Sequence, residues 1–296
     1  MTETLEILSG GLGTGSIYAL LALGFVIIYK ATRVISFAQP ALMMAGAVLV
    51  SYLVIPLGFY LAVVLAAVGI ALLGLVVERV AVRPMLGRPA FTVAIITLGV
   101  DVVIRVIATA FLGIDLRQIR DPWGLDTVDV FGAAVQERHI AMIATTAVLV
   151  TALFLFFRYT RMGLAMRAAA LDQEAAMVQG VSVGAVFAVS WAIAGGLAAF
   201  GGAFAATGGA SVESSMWIIA LVALPVIILG GLDSLPGAVI GGLVVGLVQE
   251  IVARNQQYFP EWVGGNVSTI SPYILMLLVL LVRPYGLFGT KEVERV

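Results

Sequence analysis

The chain has 296 residues, of which 61% are hydrophobic and 11% charged, whereas a soluble domain runs nearer 45–50% apolar with about a quarter charged. That balance excludes an ordinary soluble enzyme. The 16 basic residues against 17 acidic ones give no electrostatic reason for a nucleic-acid partner, and the absence of cysteine excludes disulfides, thiolate metal sites and a cysteine nucleophile.

The apolar residues fall in long blocks between short polar loops. A bilayer core about 30 Å thick takes roughly 20 helical residues at 1.5 Å each. Leu/Val/Ile/Ala/Gly runs without period-two alternation mean helices rather than a barrel, because lipid offers no partner to an unpaired backbone group. Spans are predicted near residues 9–29, 40–56, 59–77, 91–112, 139–157, 184–206, 216–231, 237–253 and 271–283. The expected class is an all-α, polytopic transmembrane bundle with eight to ten membrane segments, some short or broken, and one domain over residues 1–296. Glu3 and Glu6 precede the first block, with no Lys or Arg and no small-residue cleavage pattern, so that block is expected to stay as a span.

With the loops after the first, third and fifth spans inside, that side holds Lys30, Arg33, Arg79, Arg83, Arg88, Arg158, Arg161, Arg167, Arg283, Lys291 and Arg295, and the other side only Arg117, Arg120, Arg138 and Arg254. Eleven against four is a positive-inside bias, which puts the N-terminus outside and the C-terminus in the cytoplasm.

Along the chain, the first polar turn leads into Phe37, Gln39 and Pro40, where a helix is expected to re-enter the membrane from inside. In the fourth span Asp101 and Arg105 stand one helical turn apart, each costing about 2.5–3.5 kcal/mol to insert near the centre. They are expected to pair within the helix and face protein or water, with contact to a zwitterionic solute as the alternative. Thr97 and Gly99 lie one turn earlier. The loop at 114–138 carries Asp115, Asp121, Asp126, Asp129 and Glu137, with a turn at Pro122, Trp123 and Gly124. It reads as a solvated cap or, more sharply, as a docking surface whose removal over 121–130 uncouples transport while leaving assembly intact. The sole histidine, His139, falls at a membrane boundary and cannot by itself make a multi-His metal site.

Residues 158–183 are too polar to span and rich in helix formers, so a single cytoplasmic helix across the bundle is expected. Ala168, Ala169, Ala170, Ala175 and Ala176 would let another protein's backbone come close, and Gly180 is placed to end the helix in a left-handed turn. An amphipathic helix resting on lipid is the blander alternative. Farther on, Val226-Ile-Ile, a turn and Pro236-Gly237 repeat the pattern of residues 26–46. Paired interrupted segments of this kind point to an internal repeat and to backbone near a solute path, although glycine also serves close helix packing.

Gly163-Leu-Ala-Met-Arg-Ala168 followed by Glu174-Ala-Ala-Met-Val-Gln-Gly180 resembles the coupling loop of permeases in ATP-binding cassette importers. Almost the whole chain resembles the LivH-type permeases of branched-chain amino acid importers, through Gly24–Tyr29 and Ile35–Gln39, Glu78–Pro84, Ile96–Gly99 and Leu224–Gly242. One departure is Ser36-Phe-Ala-Gln-Pro40, where the family pattern ends in Gly, because Pro40 stiffens the start of the following helix.

The resemblance implies a permease subunit in a bacterial inner membrane, with an ATPase contact at Gly163, Arg167, Ala168, Glu174, Ala175, Ala176 and Gly180. It also implies a path near Phe37, Gln39, Pro40, Thr97, Gly99, Asp101, Arg105, Pro236 and Gly237. The expected partners are two ATPase subunits carrying ATP and Mg, a second permease (LivM-like or a second copy), an external solute-binding protein and membrane lipid. No Gly-x-x-x-x-Gly-Lys-Ser/Thr loop occurs here, so nucleotide chemistry is expected on a partner. The alternative is a self-sufficient proton- or ion-coupled secondary transporter using Asp101.

Overall fold

The structure, a computed structural model, describes residues 2–85, 88–113, 117–259 and 266–289. Asp115, Lys291 and Arg295 lie outside the described residues. Twelve α-helices occur among those described, in the order α1 (Thr2–Thr32), α2 (Gln39–Leu57), α3 (Phe59–Val77), α4 (Ala90–Leu112), α5 (Glu137–Tyr159), α6 (Arg161–Leu171), α7 (Gln173–Val178), α8 (Val183–Ala205), α9 (Trp217–Leu221), α10 (Ala223–Gly230), α11 (Leu235–Arg254) and α12 (Val267–Val282). Among the described residues seven stretches are long and apolar enough to cross a membrane, and Trp217–Gly230 and Val267–Val282 are shorter apolar ones.

At the centre is α1, packed against α11, α8 and α5. Lipid tails are as apolar as Leu, so helices in a membrane associate through close fit rather than hydrophobic burial, and small residues permit it. Gly11 and Gly15 of α1 meet the α11 backbone at Leu247 and Gly242, while Gly246 of α11 sits on Gly11 and Gly15. A methyl group on any of these would strike main chain. The same device joins α8 to its neighbours: Gly195 lies on Ile70 of α3, and Gly202 on Met43 of α2.

Two helices begin inside the bundle. Gln39 is in contact with Gly24 of α1, eight residues before the end of α1 at Thr32, so α2 starts about 12 Å short of that end. The start of α11 at Leu235 lies seven residues from Gly242, which packs on Ala19, and is likewise set back by about 9 Å from the end of α1. Lys30 Nζ donates to the Asp233 carbonyl (2.9 Å), tying the two turns together. Both helices expected to re-enter the membrane thus start set back within the bundle.

On the opposite face, where α1 begins, two small ribbons break the all-helical pattern. Strands β1 (Arg117–Gln118) and β4 (Ser211–Val212) pair, and β2 (Thr127–Val130) and β3 (Ala133–Gln136) form a hairpin. Its two turn residues, Phe131 and Gly132, have φ of 55° and 83°, both positive as a two-residue hairpin of matching twist requires. Residues 283–289 pack at the other face, where Leu287 and Phe288 N–H donate to the carbonyls of Leu229 and Gly230.

Two expectations need correction. The first helix begins at Thr2 rather than near residue 9, supported by β3 and by Arg254, which bridges Glu6 (3.0 Å) and Glu250 (3.1 Å). The segment 216–231, one of the short blocks open to being broken, is divided at Val222 as that reading allowed. The single helix expected over 158–183 is two helices, α6 and α7, because the extended backbone of Asp172 ends one while its carboxylate accepts from the Glu174 and Ala175 N–H groups and starts the next.

Candidate functional site

The first site is the contact of α2 with α4. A helix that starts inside a membrane leaves its first N–H groups without water, and each unpaired buried one costs about 1–3 kcal/mol. Pro40 reduces the deficit because it has no N–H and already holds a helical φ. Two side chains of α4 add acceptors at this start: Thr97 Oγ1 accepts from Phe37 N–H (3.0 Å), just before the helix, and Asp101 Oδ1 accepts from Ala41 N–H (3.1 Å) in its first turn, while Ser36 Oγ accepts from Ala38 N–H (3.3 Å). Thr97 and Asp101 are buried, at 1% and 5% exposure. Gln39, wholly buried, donates through Nε2 to the Ala194 carbonyl of α8 (3.1 Å).

The expected Asp101–Arg105 pair forms, Arg105 Nη2 lying 2.7 Å from Asp101 Oδ2. One carboxylate thus caps α2 with one oxygen and holds a guanidinium with the other. Arg105 is also stacked over Trp217 of α9, 4.1 Å from the ring centroid. Its Nε is buried without a hydrogen-bond partner among the described residues. Arg105 and Trp217 line a cavity of about 550 Å³ with Thr109 and Ser214.

The structure therefore brings Phe37, Gln39, Pro40, Thr97, Asp101 and Arg105 together. Gly99 sits on the outer side of α4, where an added methyl would meet nothing. Pro236 and Gly237 make their contacts on α11: Gly237 lies against Gly230 of α10, and Pro236 lines a separate groove toward α5. Trp217 had not been singled out, since nothing local in the sequence ties it to Arg105.

The second site is the pair α6–α7. Thr160 Oγ1 caps α6 by accepting from Gly163 N–H (2.9 Å), and Gly163 packs directly on the α5 backbone at Phe156 and Phe157. Arg33 Nη2 donates to the Ala170 carbonyl (2.5 Å), and Gln173 Nε2 to that of Ala31 (2.8 Å). The pair is thus fastened to the end of α1. Gly180 has φ of 82°, the left-handed turn expected of it, and Val181 N–H donates back to Ala176 O (3.0 Å).

Of the residues expected to meet a partner, Gly163 and Ala176 are buried against this chain and Ala168 is half-buried, while Arg167, Glu174, Ala175 and Gly180 are exposed. Leu171 (87% exposed), Met177 (53%) and Val178 (84%) stand beside them, an apolar group on a segment too polar to span. Sequence had not marked these three, because apolar residues in a helical run are usually core.

At the opposite face Asp121 Oδ2 accepts from Gly208 N–H (2.9 Å), and Trp123 packs with Phe59 and Phe204. The acidic loop is anchored there, and Phe131 at the hairpin tip is 86% exposed. Among the described residues no cluster of three His, Cys, Asp or Glu could hold a metal.

Residues 7–281 match the family model described as the branched-chain amino acid transport system / permease component. The chain is 28% identical to the high-affinity branched-chain amino acid transport system permease protein LivH of Escherichia coli K12, over 99% of this chain and 97% of that one. It is 27% identical to BraD of Pseudomonas aeruginosa (99% and 98%) and 28% identical to a LivH-designated permease of Methanocaldococcus jannaschii (98% and 94%). Among solved structures it shares its fold with a metal-chelate-type ABC transporter in an inward-facing conformation (TM-score 0.52, 17% identity, 95% and 87% covered) and with PsaBC of Streptococcus pneumoniae (0.50, 13%, 94% and 92%). The helical bundle, its membrane-length spans and the match over nearly all of its length make this chain a member of the branched-chain amino acid permease-component family.

Proposed function

We propose that this chain is the membrane-embedded permease of an ATP-driven importer in a bacterial inner membrane. It passes branched-chain amino acids or related small polar solutes delivered by an external binding protein. The observation that carries the partner assignment is the α6–α7 pair, fastened to the end of α1 yet presenting Leu171, Met177 and Val178 outward next to Glu174 and Gly180. Apolar side chains exposed on a polar segment mark a contact with protein or membrane, and the exposed Glu174 and Ala175 beside them favour protein. An ATPase subunit seated there would move α6–α7 and, through Arg33 and Gln173, the end of α1. ATP and Mg belong to that partner. The basic residues concentrated at the same face support its being cytoplasmic, with the N-terminus outside.

A second permease, LivM-like or another copy, would close against α4, whose outer side carries Leu98, Gly99, Val102 and Val106. The cavity beside Arg105 would then face the path, where the guanidinium can attract a solute carboxylate. On the opposite face, Phe131 is the point of contact favoured for the binding protein. Deleting 121–130 would remove Asp121 and Trp123, which hold the loop to Gly208 and Phe204, so Phe131→Ser is the cleaner substitution.

Affinity purification from the native membrane in mild detergent tests this directly. An ATPase pair and a second permease should co-purify, and both ATPases should be lost when residues 174–180 are scrambled. A chain found alone, with uptake driven by a proton gradient and insensitive to ATP, would overturn it in favour of a secondary transporter.

A further inference from the structure

A cavity of about 700 Å³ lies between α5 and α11, away from the α2–α4 site and bordering the α6–α7 pair through Arg167. Its floor is Leu23 of α1, and its walls are formed by Phe154 and Phe157 of α5 and by Val239 and Ile240 of α11. The α5 wall runs from Val150 to Arg158, about 12 Å at 1.5 Å per residue. One end therefore lies within the apolar stretch of a crossing helix, and the other reaches the face that carries α6. At that second end stand two guanidinium groups, Arg158 from the last turn of α5 and Arg167 from α6.

Neither arginine forms an ion pair with another described residue; Arg158 has a ring neighbour in Tyr159, 5.3 Å from its centroid. Both are exposed. The most apolar window of α5 is only 17% buried, so the groove opens to whatever surrounds the bundle in the membrane. A soluble anion would satisfy the two charges and leave the apolar walls bare. A neutral hydrocarbon would do the reverse. Guanidinium groups bind phosphate oxygens in a fixed fork, and basic pockets between membrane helices hold anionic head groups.

We propose that this groove is a binding site for an anionic phospholipid, its phosphate held by Arg158 and Arg167 and an acyl chain lying along Phe154, Phe157, Val239 and Ile240. Because Arg167 belongs to α6, the lipid links the segment that meets the partner to the membrane-embedded wall.

The intact complex, reconstituted with phosphatidylglycerol bearing a photoreactive group in its acyl chain, should be labelled within residues 150–157 and 235–240. Native mass spectrometry of the detergent-purified complex should show phosphatidylglycerol retained over phosphatidylcholine. Retention should fall about 25-fold in R158Q/R167Q, at about fivefold per arginine. It should stay unchanged in R79Q, which removes an exposed guanidinium from the same face. I240W, which fills the slot and spares both arginines, should also expel the lipid. Labelling spread evenly over other helices, a wild-type complex that holds both lipids equally, an equal loss in R79Q, or complete displacement by inorganic phosphate would each overturn the site. The labelling result needs no variant and stands whether or not R158Q/R167Q assembles.

Discussion

Helices α1 and α4 are both long and apolar enough to cross a membrane, yet the most apolar window of α1 is 89% buried and that of α4 only 22%. Hydrophobicity does not distinguish them. What separates them is the residue set at the contacts. α1 offers Gly11 and Gly15 to α11 and is enclosed by backbone. α4 buries one stripe, Val93, Thr97, Asp101, Ile104, Ala108 and Leu112, and within that stripe two polar side chains supply the N–H partners that α2 lacks. One helix is fixed by the absence of side chains and the other by hydrogen bonds.

The contrast can be broken from either end. Asp101→Ala removes the acceptor for Ala41 and strands Arg105, and should cost about 3 kcal/mol, the low end for breaking a buried pair because Arg105 is a quarter exposed. Thermal unfolding of the detergent-purified protein measures it, and Asp101→Asn, which keeps an acceptor, should recover part of the loss. Gly246→Val drives a side chain into the α1 backbone and should cost about 1–3 kcal/mol, whereas Gly99→Val, on the open side of α4, should stay within about 0.5 kcal/mol. Equal effects of the two valines would mean that α1 is not held by backbone contact.

Smaller changes sharpen the comparison. Arg105→Lys retains the charge beside Asp101 and loses the flat stack on Trp217, worth about 0.5–1 kcal/mol. If the neighbouring cavity lies on the path, solute uptake should weaken by more than this stability change accounts for. Gly180→Ala forces a Cβ into a left-handed backbone and should cost about 1 kcal/mol. Its effect should stay local, seen as faster amide exchange over 173–181 and weaker coupling of ATP hydrolysis to uptake, with the bundle's melting temperature little moved.

Much of this was legible in the sequence because the bilayer sets one length and one polarity for every span. The Asp101–Arg105 pair followed from its spacing, the first-turn role of Pro40 from its chemistry, and the turn at Gly180 from its freedom. The break at Asp172 was hidden by good helix formers on both sides, although Asp is a common cap. The start of α1 was missed since Glu3 and Glu6 look like a tail until Arg254, far along the chain, is placed beside them. The use of Thr97 and Asp101 as caps for another helix had no local signal at all. Phe131 escaped notice because hairpin turns usually announce themselves with Asn-Gly or Asp-Gly.

The borrowed cap on α2 also bears on how the chain is made. Ala41 and Asp101 are 60 residues apart, and at about 5–20 residues per second of synthesis the acceptor emerges roughly 3–12 s after the amide it serves. During that interval the start of α2 has no partner that lipid can provide. The first helices are therefore expected to wait in the watery channel or beside the insertion machinery until α4 arrives, and to leave it as a group rather than one by one.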